Sequence, residues 1–385
     1  MIAYNQEWLN NLYIKEETRE ALEENCITDE EYISINTKYP IGFYTPNIFI
    51  RIGLFILTII ILLFSFGLLF LIFSPNHEAE MGSLAIFFAI GCFAALEMMI
   101  HVKKHFCSGV DDGVLWGGAI ALLSGICLPN NFNELTNCCI TFIISIFGTL
   151  RYADKTMIAI AYFSFLGFVF YTCIELGQSA KAIMPFIIMA ISLLAYFSTK
   201  KIKSKNETSY YNDCLSVLEI VALISLYTAG NYFVVRELSN ELFNLQLQPS
   251  ESIPFGWVFW IFTITLPIVY AARGIQKKDM IILRVGLLLF AAIVFTVRYY
   301  HTILPIEIMM SVGGIILLVI SYGIMKWLQQ PQYGFTSKEI VSKTKNNLRQ
   351  LEALIILQTF KPGTNTDTSK FGGGNFGGGG ASGEY

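Results

Sequence analysis

A chain of 385 residues that is 54% hydrophobic and only 14% charged, with a mean hydropathy of +0.55, is too apolar for an ordinary soluble domain. The net charge of -3 says little as a sum, but no basic face is interleaved with aromatic residues, which excludes a nucleic-acid footprint. Lipid is the solvent this composition calls for.

Residues 1–47 read as a helical leader. Asn5 caps a helix carrying Trp8, Leu9 and Leu12, and Thr28-Asp29-Glu30-Glu31 forms a capping box that opens another short helix through Ile35. The leader is acidic: nine carboxylates between Glu7 and Glu31 face only Lys15 and Arg19. With no signal-type apolar segment before residue 49, the N-terminus is expected in the cytoplasm.

Phe49 to Phe73 is the first long apolar run, and about 20 such residues cross a hydrocarbon core as a helix. Apolar segments then recur near 81–100, 113–128, 137–150, 157–176, 182–198, 213–235, 254–272, 280–297 and 303–327, giving about ten spans. The pair around Pro129-Asn130-Asn131 could instead be re-entrant. If the N-terminus is inside, alternate inner loops hold Lys103/Lys104, Arg151/Lys155, Lys200/Lys201/Lys203/Lys205 and Arg273/Lys277/Lys278, eleven basic residues against three outside at Lys181, Arg236 and Arg298. That alternation supports ten spans with both termini cytoplasmic.

Most of the eight cysteines read as small buried apolar residues, whereas Cys127 and the vicinal Cys138-Cys139 bracket an outer loop where a disulfide is conceivable. Past the last span, Val341, Leu348, Leu351 and Ile355 make one stripe of an amphipathic helix from Ser337 to Phe360, suited to an anionic inner leaflet or a second copy. Beyond Pro362 the chain is rich in glycine, serine and threonine and is expected to be disordered.

Few residues carry chemistry. Glu97, His101 and His105 are spaced i, i+4, i+8 at the inner end of the second span, followed by Cys107, Asp111 and Asp112. The spacing suits a metal site at His101 and His105, a pH sensor, or interfacial cations facing anionic lipid. Only four histidines occur, which excludes a many-histidine di-iron arrangement. Asp111 and Asp112 either complement the positive end of the third span or form a docking or cation-binding point with His105. Glu219 is the deepest carboxylate and the residue a transport pathway would use. No GxSxG or phosphate loop is present, the serines have no base nearby, and no cofactor is implied.

The Trp8 helix, the Cys26-Ile27-Thr28-Asp29-Glu30-Glu31 turn, the Tyr39-Pro40 end, the loop SGVDDGVLW from Ser108 to Trp116 and the many spans resemble the bacterial multi-pass proteins of domain-of-unknown-function family 2157. The tail FGGGNFGGGGASGEY looks like that of TPM-domain proteins, although that domain itself is not in this sequence. These resemblances imply a bacterial inner-membrane location and carry no activity.

The sequence thus predicts an all-α polytopic membrane protein: a cytoplasmic helical leader at 1–47, about ten spans over 48–327, an amphipathic cytoplasmic helix at 328–361 and a glycine-rich tail at 362–385. The favoured function is a non-catalytic membrane scaffold or assembly component, meeting a protein partner through the leader or the C-terminal helix. The alternatives are a small-solute or ion transporter using Glu219 and, behind it, a metal-dependent membrane enzyme at Glu97/His101/His105.

Overall fold

The computed structural model describes residues 2–23, 26–204, 210–243, 251–253 and 255–300, with isolated helical positions between 308 and 326. All of these fall in one compact unit, Met1–Glu339. The amphipathic helix and the glycine-rich tail lie outside the described residues, as does most of the tenth predicted span.

Two leader helices, α1 (Gln6–Glu23) and α2 (Asp29–Lys38), precede α3 (Ile48–Phe73) and α4 (Glu78–His101). Then come α5 (Val110–Asn130), α6 (Glu134–Tyr152), α7 (Lys155–Glu175), α8 (Gln178–Lys203), α9 (Asn212–Gly230), α10 (Tyr232–Phe243), α11 (Gly256–Lys277) and α12 (Met280–Tyr300). Among the described residues, nine of these helices are long and apolar enough to cross a membrane. The protein is an all-α, multi-pass membrane protein.

Local chemistry explains where the helices begin. Asn5 Oδ1 accepts from the N–H groups of Glu7 and Trp8, and Thr28 and Glu31 close the expected capping box on α2. Asn47, Asn133 and Asp154 cap α3, α6 and α7 in the same way. The break at Pro129-Asn130-Asn131 is a tight turn and not a re-entrant loop: Pro129 ends inside α5, Asn131 takes a left-handed conformation and Asn133 starts a full-length α6.

One predicted span is divided. The apolar run 213–235 ends as a helix at Gly230, where Asn231 turns extended and its Oδ1 accepts from Phe233 and Val234 N–H to start the 12-residue α10. Hydropathy cannot register such a break, because the residues on both sides are apolar.

Helices pack chiefly as hairpins, α4 with α5, α6 with α7, α8 with α9 and α11 with α12. The α9 helix is the most enclosed, with 56% of its span buried against 6% for α3, so α9 is central and α3 peripheral. Since lipid is as apolar as leucine, polar links and close contacts hold such helices together. Tyr162 donates to Ser192 Oγ at 2.9 Å between α7 and α8, and Tyr270 donates to the Leu223 carbonyl at 3.1 Å between α11 and α9. Each link of this kind is worth about 0.6 kcal/mol in a bilayer.

The basic loops gather at one end of the bundle, as their alternation required. Tyr211 donates to the Leu150 carbonyl at 2.6 Å, Lys155 pairs with Asp213 at 2.6 Å and Lys200 pairs with Asp279. The leader docks at this same end. Tyr44 N–H donates to the Lys104 carbonyl at 3.0 Å, and Ala3, Tyr4 and Leu9 are buried in one core with Leu96, Ile100 and Leu115. The described part of the leader is therefore packed against the membrane helices.

Candidate functional site: a charged cavity beneath the leader

The leader roofs a cavity of about 370 Å³ at the basic end, between α3, α5 and the turn from α6 to α7. Tyr4 lines it from above, and Arg51, Cys107, Asp111, Asp112, Trp116, Asp154 and Lys155 surround it. The geometry depends on how α3 and α5 approach each other. Gly109 has a φ of +89°, and a Cβ there would meet the Arg51 carbonyl oxygen at 2.2 Å, so only glycine lets the chain turn into α5 while touching α3. This brings Asp112 to Arg51, whose Nε and Nη2 donate to Asp112 Oδ2 at 3.1 and 2.6 Å.

Asp111 is 3% exposed, and its Oδ1 accepts from Ser108 N–H at 2.9 Å and Ser108 Oγ at 3.0 Å. His105 Nδ1 lies 2.8 Å from the same Oγ. Ser108 Oγ thus sits between His105 Nδ1 and Asp111 Oδ1, and the three side chains brace the loop that leads into α5.

Asp154 performs two tasks. Its Oδ1 accepts from Thr156 and Met157 N–H at 2.9 and 2.8 Å and from the Trp116 indole at 3.4 Å, fixing both the start of α7 and the cavity wall. Burial pushes its carboxyl above the usual range, more than these hydrogen bonds pull it down. Burial also pushes the Cys107 thiol up to about 12 and raises Tyr4 well above its ordinary value.

The sequence-predicted residues fall into two groups, Glu97 with His101 and His105 with Asp111 through Ser108. Helix α4 ends at His101, so His105 leaves the shared face and pairs with Tyr44 in an isolated parallel bridge. His101 lies 3.2 Å from Glu97, but Glu97 is claimed by the two-pronged Arg151 guanidinium, both contacts 2.9 Å, and by the Tyr152 hydroxyl at 3.0 Å. Among the described residues no three His, Cys, Asp or Glu side chains form a metal-holding group. The conceivable disulfide is not formed, Cys127, Cys138 and Cys139 all being free thiols.

Glu219 is fully buried and enclosed by cations from α8: Lys203 donates to Oε2 at 2.7 Å and Lys200 lies 2.8 Å from Oε1. The Lys200 contact is an ion pair. Lys200 also reaches Asp279 at the start of α12, so one network ties three helices. Neither the cavity nor the apolar groove of about 240 Å³ beside it is lined by Glu219.

Arg51, Asp154, Lys155 and Tyr4 were not singled out by sequence as a site. Lys155 was read only as a topology marker. No family model, curated protein or solved structure matches the chain.

Proposed function

We propose that the protein is a non-catalytic scaffold or assembly component of the bacterial cytoplasmic membrane, with both termini on the cytoplasmic side. The observation that carries this reading is the enclosure of Glu219 between Lys200 and Lys203. A carrier working through that carboxylate needs it to face a path, whereas here it holds helices together. The leader supplies the contact surface. Its α1 end is anchored in the core, while α2 exposes Asp29, Glu30, Glu31 and Ile33, a surface suited to a basic partner with an apolar spot.

Two measurements test the reading. Liposomes carrying the purified protein should pass protons and monovalent cations no faster than empty ones; a flux that Glu219→Gln abolishes would establish the carrier instead. In native membranes cross-linked before solubilisation, the protein should run in an assembly larger than its purified form. Combining Glu30→Lys, Glu31→Lys and Ile33→Asp should return it to the purified size, and an assembly of unchanged size would count against recruitment through the leader.

A further inference from the structure

The cavity beneath the leader and the neighbouring apolar groove share two lining residues, Trp116 and Thr156. The groove runs between α5, α6 and α7, and at its rim Ile120 is 67% and Ile160 38% exposed, so it opens on the lipid-facing surface. A charged chamber at the membrane boundary thus adjoins an apolar trough in the bilayer. We propose that this pair of spaces binds one aminophospholipid, its phosphoethanolamine headgroup in the cavity and part of one acyl chain in the groove.

The headgroup chemistry follows from which valences are already used. The Arg51 guanidinium is committed through Nε and Nη2 to Asp112, and the Lys155 ammonium to Asp213. The unused valences are carboxylate oxygens: Oδ2 of Asp154 and Oδ2 of the buried Asp111 accept no hydrogen bond among the described residues. Two carboxylate oxygens that accept no hydrogen bond among the described residues, with Arg51 near but bonded to Asp112, suit a ligand with an ammonium carrying several N–H donors. Arg51 Nη1, which makes no hydrogen bond among the described residues, and the remaining Lys155 protons are left for a phosphate. A primary ammonium and a phosphate within one small chamber are the two ends of phosphoethanolamine.

An amphiphile is favoured over the free headgroup because of the groove. Its wall is nearly all apolar, with Ala119, Leu123, Ile144 and Met157 among its residues, and burying a chain segment there completes the packing of α5 against α7. The inference goes beyond the scaffold reading, and a lipid site of this kind survives whichever partner, if any, the leader recruits.

The test uses the full-length protein, delipidated in detergent, with native mass spectrometry and thermal unfolding as readouts. Phosphatidylethanolamine should bind as a single copy and raise the unfolding temperature. Phosphatidylcholine lacks ammonium N–H donors and phosphatidylglycerol lacks the cation, so each should bind about tenfold more weakly. Asp154→Asn keeps an N-cap for α7 but removes the charge, and should erase that preference while the lipid-free unfolding temperature stays that of a folded protein. Ile160→Trp, at the lipid-facing rim, should weaken all three lipids together. Equal binding of the three lipids to the wild type, or an unchanged preference in Asp154→Asn, overturns the proposal. Soluble phosphoethanolamine binding as well as the lipid also overturns it, by showing a solute site with no role for the groove.

Discussion

The main-chain N–H of Ala3 donates to the carbonyl of Arg151 at 2.8 Å, while the side chain of Arg151 grips Glu97 through both oxygens. One residue at the end of α6 thereby ties the leader to α4. Tyr4 packs beside it and lines the cavity, and the partly exposed Cys107 on the same wall reports whether Tyr4 shields the chamber. Its thiol, pushed by burial up to about 12, carries almost no thiolate at neutral pH. In a Cys26→Ser background, Tyr4→Ala should raise maleimide labelling of Cys107 by about tenfold or more as its thiol returns toward the ordinary range. Peptide mass spectrometry measures the rate, and unchanged labelling in a folded variant would show that Tyr4 does not close the chamber.

Glu219 and its two lysines predict a stability effect distinct from any transport effect. Glu219→Gln leaves Lys203 without its partner and weakens the hold on Lys200, which keeps Asp279. Leaving a fully buried charge unpaired costs about 3–5 kcal/mol, and because Lys203 is 20% and Lys200 36% exposed the cost here falls below that range. Glu219→Gln should therefore lower the unfolding temperature in detergent, and Lys203→Met combined with it should lower it by less than the sum of the single changes. Strict additivity would mean that the two side chains do not interact in the folded protein.

The fold was largely legible because hydropathy and capping act over short range: Asn5, the Thr28 box and nine of the long apolar runs were identified from neighbouring residues alone. What sequence missed depends on residues distant along the chain. Asp112 meets Arg51 across 61 positions and Arg151 meets Glu97 across 54, and nothing in either segment names its partner. The i, i+4, i+8 spacing of Glu97, His101 and His105 presupposed a helix beyond His101, yet the chain leaves it there, and Tyr44 pairs with His105. Glu219 was correctly marked as deep. Its role became visible only when Lys200 and Lys203, read as topology charges, proved to turn inward onto it.

Asp154 gives a pH dependence whose sign can be worked out. Burial raises its folded carboxyl above the ordinary 3.8, so the folded protein holds that proton more tightly than the unfolded chain. The contribution is complete below the ordinary value and is lost as pH rises through the raised one. Asp154→Asn keeps the α7 cap but cannot ionise, so its unfolding temperature relative to wild type should climb as pH rises above 3.8 and then level off. Asp279 works in the opposite direction: burial is the largest single influence and pushes its carboxyl up, but Lys200 together with the Ile282 and Ile281 N–H groups holds it below the ordinary value, so its stabilisation is lost in acid. Asp279→Asn should accordingly lose its deficit relative to wild type as pH falls. Thermal unfolding of both variants across pH checks the two signs, and parallel curves for wild type and Asp154→Asn would refute the first.

Asn231 is the hinge between α9 and α10, and its environment predicts what replacing it costs. Its Nδ2 donates to the Tyr227 hydroxyl at 2.9 Å and to Thr296 Oγ1 at 3.1 Å, while Oδ1 caps α10 through Phe233 and Val234 N–H. Leucine would suit hydropathy, and would extend α9, but it takes the partner from the Tyr227 hydroxyl and from the Phe233 and Val234 N–H groups, while Thr296 keeps the Ala292 carbonyl. Loss of the cap and of the buried hydrogen bonds together is worth about 2–4 kcal/mol. Asn231→Leu should be destabilised by that amount, whereas Asn231→Ser, which still caps, should recover about 1 kcal/mol of it. Hydrogen exchange separates the two contributions. The Phe233 and Val234 amides should lose protection in the leucine variant and keep more of it in the serine variant, and equal protection in both would assign the break to packing and not to the cap.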